Sequence, residues 1–194
     1  MEELSNEARR RRAIAWAMAL TADTSLAPPA YERELLERFA RGELDIDQVL
    51  QALDTQVQHV LYRSQAVSPL SSAHLTALLE ESRAYNEAHD ITGLLCYSAG
   101  HFVQLLEGTT TEVYRLYARI RQDPRHHQVQ TLHEGAEPSR FFADWRMAFV
   151  EVEQEEFFWL LTHLEARQHH LVQPQVPICD PHLLALLEAF SRVA

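Results

Sequence analysis

Two polar side chains sit where strands would bury them, and their chemistry is complementary. Tyr62 falls in a short strand-like run, residues 57 to 64, and brings a phenol that can give or accept a hydrogen bond and can be oxidised. Gln104 stands in Phe102-Val103-Gln104-Leu105-Leu106-Glu107-Gly108, so its primary amide lies among apolar neighbours. A carboxamide has two donors at one end and an acceptor at the other, and the ends can exchange places. Inside a core the amide must be paired, so a flip that trades partners is a discrete two-state event. A phenol and a flippable amide suit a flat ligand that carries carbonyls and ring nitrogens. Asn86, ahead of Ile91-Thr92-Gly93, adds a second amide. Trp145 and Met147 alternate in Trp145-Arg146-Met147 and are expected on one side of a strand over residues 145 to 152. Nothing in the set resembles a hydrolytic nucleophile with a positioned base. Taken singly, none of these residues assigns a function, because a strand tyrosine usually only packs and a strand glutamine usually faces solvent.

The elements that must position them follow from periodicity. Residues 1 to 55 read as helical, with Ile14 and Met18 one turn apart, a break at Pro28-Pro29, and Tyr31, Leu35 and Phe39 on one face. Gly42 is placed to end that helix, and Asp45 with Gln48 forms a capping-box pattern before Ile46, Val49, Leu50 and Leu53. Over residues 56 to 152 the pattern changes. A strand at 57 to 64 is followed by a helix capped by Ser71 or Ser72, with Leu75, Leu78 and Leu79 inward. Strands at 91 to 97 and 101 to 107 flank the turn Ser98-Ala99-Gly100. Thr109 and Glu112 open a helix with Val113, Leu116, Tyr117 and Ile120 on one face, and strands at 127 to 133 and 145 to 152 follow. The order β-α-β-β-α-β-β predicts an α+β fold, a ferredoxin-like sheet with one added strand and two helices on one face. Residues 153 to 194 return to helix. Phe157, Leu160, Leu161 and Leu164 share a face, Gln173 to Pro177 form a connector, and Asp180-Pro181 caps a last helix.

Composition narrows the function classes. The chain has 194 residues, 46% of them hydrophobic, and a formal net charge of −11. That balance speaks against a nucleic-acid or anionic-membrane surface, and no apolar run approaches the roughly 18 residues of a spanning helix. Neither a signal peptide nor a disulfide framework is expected. With only Cys96 and Cys179, a reducing cytoplasm is the default, and Cys96 reads as a small core residue. The pairs His126-His127 and His169-His170 lack metal-ligand spacing, so no metal is expected. Arg9 to Arg12 reads as a solvated helix face, with contact to an acidic partner as the sharper alternative.

Together the phrases resemble the BLUF family of blue-light receptors. The resemblance spans about residues 57 to 150. It rests on Tyr62-Arg63-Ser64, Asn86, Ile91-Thr92-Gly93, Gly100, Gln104, Leu106-Glu107-Gly108, Ile120, Asp123, Arg125-His126, Arg140, Phe142, Trp145 and Met147 at undisturbed spacing. It implies a non-covalently held FAD between the two helices of the domain. On the matched positions, Asn86 would hold the ring's carbonyl edge and Ile120 would pack on the ring. Arg119, Asp123, Arg125 and His126 would lie near the ring edge and ribityl chain, and Tyr62, Ser64 and Gln104 would complete the cofactor set. The implied photoactive set is Tyr62, Gln104, Trp145 and Met147. Tyr62 gives an electron and then a proton, Gln104 rotates or tautomerises to make a new hydrogen bond, and absorption shifts reversibly to the red. Tyr85 departs from the pattern, since the family often has Asn, His or Arg there. A phenol at that place would alter ribityl contacts or offer a second electron donor.

The expected function is therefore a blue-light photoreceptor whose flavin is a chromophore and not a turnover cofactor, so no enzyme activity is expected. No attached catalytic domain is expected in the residues outside the domain. Signal is expected to leave through a partner protein or a change of homo-oligomer, carried by helices 1–55 and 153–194 around the domain at 56–152. The alternatives are a light-insensitive interaction module on the same fold, and a small enzyme such as a phosphatase or flavin reductase, for which no nucleophile or nicotinamide site is seen.

Overall fold

The structure is a computed structural model and describes residues 7–22, 24, 26–166 and 180–191. His169, His170, the connector at 173–177 and Cys179 lie outside the described residues. The chain divides into two compact units, Met1–Val57 with Gly135–Ser139, and Gln58–Glu134 with Arg140–Ala194.

The first unit holds three helices, α1 (Glu7–Thr21), α2 (Ala30–Arg41) and α3 (Ile46–Asp54). Gly42 ends α2 in the left-handed conformation at φ 81°, where glycine carries no Cβ penalty, and its N–H returns to the carbonyls of Arg38 and Phe39. Asp45 accepts from the Gln48 N–H while the Gln48 side chain accepts from the Asp45 N–H, so the predicted capping box is complete. Val49 is buried but Ile46 and Leu50 are exposed, so the apolar face of α3 is narrower than its sequence pattern predicts. In the basic run, Arg11 pairs with Glu7 and Glu37, and Arg10 donates to the Ala40 carbonyl.

The second unit is built on a five-stranded sheet of order β4-β1-β3-β2-β5. The strands are β1 (Val57–Ala66), β2 (Thr92–Ser98), β3 (His101–Gly108), β4 (His126–Glu137) and β5 (Ala148–Glu151). The helices are α4 (Ser72–Ala88), α5 (Thr110–Gln122), α6 (Gln154–Ala166) and α7 (Pro181–Ser191). The predicted β-α-β-β-α-β-β order holds. β3 pairs antiparallel with β1 and β2, and β2 pairs parallel with β5. Ala99 at φ 45° and Gly100 at φ 90° make the tight turn of the β2–β3 hairpin, in which both central residues take positive φ.

Alternation along the strands divides the core in two. Val60, Tyr62, Leu95 and Leu106 face α4 and α5, where Leu75, Leu79, Val113 and Tyr117 close over them. Leu61, Leu94, Cys96, Val103 and Leu105 face the tail, meeting Phe157, Leu160 and Leu164 of α6 and Leu183, Leu186 and Phe190 of α7. Burial on both faces explains why β2 and β3 read as nearly unbroken apolar runs. Cys96 is wholly buried, and loss of solvent pushes its thiol pKa up to about 12, as suits a core residue. Ser71, Thr109 and Asp180 cap α4, α5 and α7.

The last two strands depart from expectation. β4 runs longer than residues 127 to 133, and β5 begins only at Ala148, so Trp145 and Met147 precede it and do not alternate along a strand. The segment that carries them is held by polar contacts instead. Glu107, at the end of β3, accepts from the N–H groups of Phe141 at 2.6 Å and Phe142 at 3.0 Å and from the Thr92 hydroxyl at 3.1 Å. Burial raises the pKa of its carboxyl, while these donors and Arg140 favour the charged form. Arg140 donates to Thr92 Oγ1, the Glu107 carbonyl and Asp90.

Two expectations test this frame. Gly93 lies at φ 152°, and a Cβ there would stand 2.0 Å from the Leu105 carbonyl oxygen. Gly93→Ala must push β2 from β3 and should cost on the order of 2–3 kcal/mol, seen as a lowered melting temperature. An unchanged melting temperature would show that the strand spacing does not need glycine. Glu107→Gln turns a donor toward one backbone N–H and should cost about 1–3 kcal/mol, measured by urea unfolding. Wild-type stability would show that the carboxylate does not hold the loop.

Candidate functional site

Register alone brings the two key groups together. In the β1–β3 ladder Tyr62 is the direct partner of Gln104, and Leu95 of β2 lies on the other side of Gln104. Directly opposed residues on one sheet face have touching side chains. The Tyr62 hydroxyl accordingly donates to Gln104 Oε1. At the other end of the amide, Gln104 Nε2 donates to Met147 Sδ at 3.5 Å. All three residues are buried. Burial holds the Tyr62 phenol protonated, far above its ordinary pKa, with Tyr117 and Asp123 adding to the same direction.

Asn86, on the buried side of α4, donates from Nδ2 to the Arg146 carbonyl at 2.5 Å. A carboxamide has a second N–H and a carbonyl oxygen beyond that bond. Arg83 reaches the Met147 carbonyl from the same helix. Arg146 pairs with Glu87 and Asp90, and Asp90 also takes Arg140, so its carboxyl stays well below the usual range. The helix that presents Asn86 and the segment that presents Met147 are thus one assembly.

Trp145 and Met147 do not share a side. Met147 is 2% exposed and touches Gln104, whereas Trp145 is 49% exposed and turns outward. Its ring meets His182 of α7 edge-on at 5.2 Å. The physical reason is that residues 145–147 are not in extended strand. The Trp145 carbonyl accepts from the Gly93 N–H and its own N–H turns back to Phe142.

The remaining predicted residues lie on β1, on α5 and at the turn from α5 into β4. Ser64 is buried two residues beyond Tyr62, on the same side of β1. Ile120 packs half-buried against the Tyr62 core. Asp123, Arg125 and His126 make a self-satisfied turn after α5. The Asp123 carboxylate accepts from the Arg125 N–H and guanidinium, which holds the acid low, and His126 Nε2 donates to the Ile120 carbonyl at 2.7 Å. Arg125 also reaches Glu81 of α4. Arg119 is exposed, with its guanidinium 4.5 Å from the centre of the Tyr85 ring. The sequence pattern had not pointed to three contacts: Tyr117, whose ring lies 5.2 Å from Tyr62, the Glu107 clamp, and His182 against Trp145. Only Glu107 carried a signal, as an acid inside an apolar strand that must find donors.

The donor set fits a flavin ring. The buried carboxamide of Gln104 spends an N–H on a thioether, a weak acceptor. Asn86 and Tyr62 offer further polar groups on the same face, between helices whose inner sides are apolar. A cavity of about 450 Å³ lies beside α6, lined by Arg63, Ser64, His101, Gln130, Phe157 and others; of the predicted site residues it includes Ser64 but not Tyr62, Asn86 or Gln104. Among the described residues no three His, Cys, Asp or Glu side chains gather as a metal site would require, and no helix is long and apolar enough to cross a membrane.

Comparison with known proteins gives the same domain. Residues 57–148 match the family model BLUF, described as sensors of blue light using FAD. The photoactivated adenylate cyclase subunit beta of Euglena gracilis is 40% identical over 95 residues, which is 48% of this chain and 11% of that protein. The alpha subunit from the same organism is 45% identical over 74 residues, 38% of this chain and 7% of that protein. The chain therefore spans about a tenth or less of these curated relatives. The dark-state structure of BlrB, a BLUF protein, superposes with a TM-score of 0.50 at 29% identity, covering 71% of this chain and 98% of that one. Cross-strand tyrosine and glutamine, buried asparagine and matching fold agree with that match, and residues 57–148 form a BLUF domain, of the family described as sensors of blue light using FAD.

Proposed function

We propose that this protein is a blue-light photoreceptor that holds FAD non-covalently between α4 and α5 and signals through the Tyr62–Gln104 hydrogen bond. The observation that carries the reading is the buried carboxamide of Gln104, with the phenol on its oxygen end and the Met147 thioether on its nitrogen end. The two ends face unlike partners, so a flip changes both bonds at once. Tyr62, Ser64, Asn86, Gln104, Arg119, Ile120, Asp123, Arg125 and His126 form the cofactor set. When bound, the flavin supplies blue-light absorption and accepts an electron. Tyr62 is placed to release that electron and then its phenolic proton, which burial otherwise keeps in place, and to take both back as the charge recombines. Gln104 then turns its amide, exchanging which end meets the phenol and which meets Met147. Met147 and Trp145 read out the change, because the same short segment carries both and leads directly into β5 and α6.

Output runs to a separate protein or through a change of homo-oligomer, across the helices before residue 56 and after residue 152. The protein itself turns over no substrate and works in the cytoplasm, contacting neither nucleic acid nor membrane.

An absorption spectrum of the purified protein in the dark and under blue light tests the reading. A flavin spectrum that moves reversibly to the red is expected, and flavin that only bleaches would refute the switch. Gln104→Leu keeps the volume but removes both polar ends, so FAD should remain bound and the red shift should vanish. A normal photocycle in that variant would take the role from Gln104.

A further inference from the structure

Two pairs of side chains span the solvent side of α4 and α5. Arg125 beyond α5 reaches Glu81 of α4 at 3.1 Å. One turn further along α4, Tyr85 meets Arg119 of α5, whose guanidinium carbon lies 4.5 Å from the ring centre. The partners advance along α4 from 81 to 85 while they retreat from 125 to 119, so they are successive rungs across the gap between the two elements. The Tyr85 ring is itself fixed from behind, stacked on His89 at 3.9 Å with the planes 13° apart. Glu81, Arg119 and Arg125 are exposed and Tyr85 is half-buried, whereas the next residue, Asn86, is buried, as are Tyr62 and Gln104.

The geometry points to Tyr85 and Arg119 as a cation–π clasp that governs retention of the flavin, a role for Tyr85 that is neither electron donation nor hydrogen bonding to the cofactor. This rests on the flavin reading above. A guanidinium over an aromatic face is attracted by the ring quadrupole, and the attraction needs the face of the ring but not its hydroxyl. The stack on His89 fixes the plane of the ring, and the Arg119 guanidinium lies over it. With FAD held between α4 and α5 as proposed above, these two contacts join the elements that flank it, and parting of the clasp would loosen that hold.

The test is the release rate of FAD from the loaded full chain, followed in the dark by the fluorescence of freed flavin after dilution. Tyr85→Leu and Arg119→Gln are each expected to release FAD about three- to fivefold faster, the size of a cation–π contact at an exposed rim. The double variant should release it no faster than either single one, since one contact is lost in all three. Tyr85→Phe, which keeps the ring face, should match wild type. Arg119 is exposed, so Arg119→Gln carries the test even where Tyr85→Leu folds poorly. Unchanged release in Arg119→Gln, multiplied effects in the double variant, or a fast Tyr85→Phe would each overturn the clasp while leaving flavin binding intact. A wild-type chain that takes up no FAD would overturn the flavin reading itself, and the clasp with it.

Discussion

The register of β1 against β3 is the constraint on which the site depends. Tyr62 and Gln104 are forty-two residues apart, and only a ladder that places them as direct partners lets one phenol reach one carboxamide. A slip by one residue would send Gln104 to the α6 side of the sheet and bring Leu105 or Val103 to the phenol. That slip is prevented by burial on both faces. Leu61, Val103 and Leu105 must meet the tail helices while Val60, Leu95 and Leu106 must meet α4 and α5. The tight Ala99-Gly100 turn and the close approach at Gly93 then hold β2 to β3 without freedom to shift.

A second set of contacts decides what meets the other end of the amide. The segment from Arg140 to Met147 has little regular structure, yet its position is closely specified. Glu107 takes two of its backbone N–H groups, Asp90 takes Arg140 and Arg146, and Asn86 takes the Arg146 carbonyl. Buried backbone donors and acceptors must be paired, so a non-strand segment at the edge of a core is held by such partners or not at all. The result is Met147 against Gln104 and Trp145 against His182. One end of a three-residue stretch meets the amide and the other touches α7, so contiguous packing joins Gln104 to the tail helix.

Sequence and structure agree where local chemistry decides. The capping box at Asp45 and Gln48, the Gly42 stop, the Ser71, Thr109 and Asp180 caps and the hairpin turn are all short-range patterns, and each stands where the chain predicts it. The strand order β-α-β-β-α-β-β was legible for the same reason, because two-residue and 3.6-residue periods are properties of contiguous segments. The weaker predictions fall where tertiary contacts override period. Trp145-Arg146-Met147 alternates like a strand but is held by Gly93 and Phe142, so its two large side chains part. Ile46 and Leu50 lie on the apolar stripe of α3 and are nevertheless exposed, because a stripe states what can be buried and not what covers it.

By itself the sequence determined most of the elements, the family phrases and the identity of the two groups proposed to carry the switch, since those depend on residue type and on spacing along one chain. Only the tertiary structure decided which end of the Gln104 amide faces the phenol, that Met147 turns in while Trp145 turns out, that Glu107 clamps the loop, and that Tyr85 lies under Arg119. Each of these joins side chains from different elements, where neighbourhood is set by how helices and strands pack and no period along the chain records it.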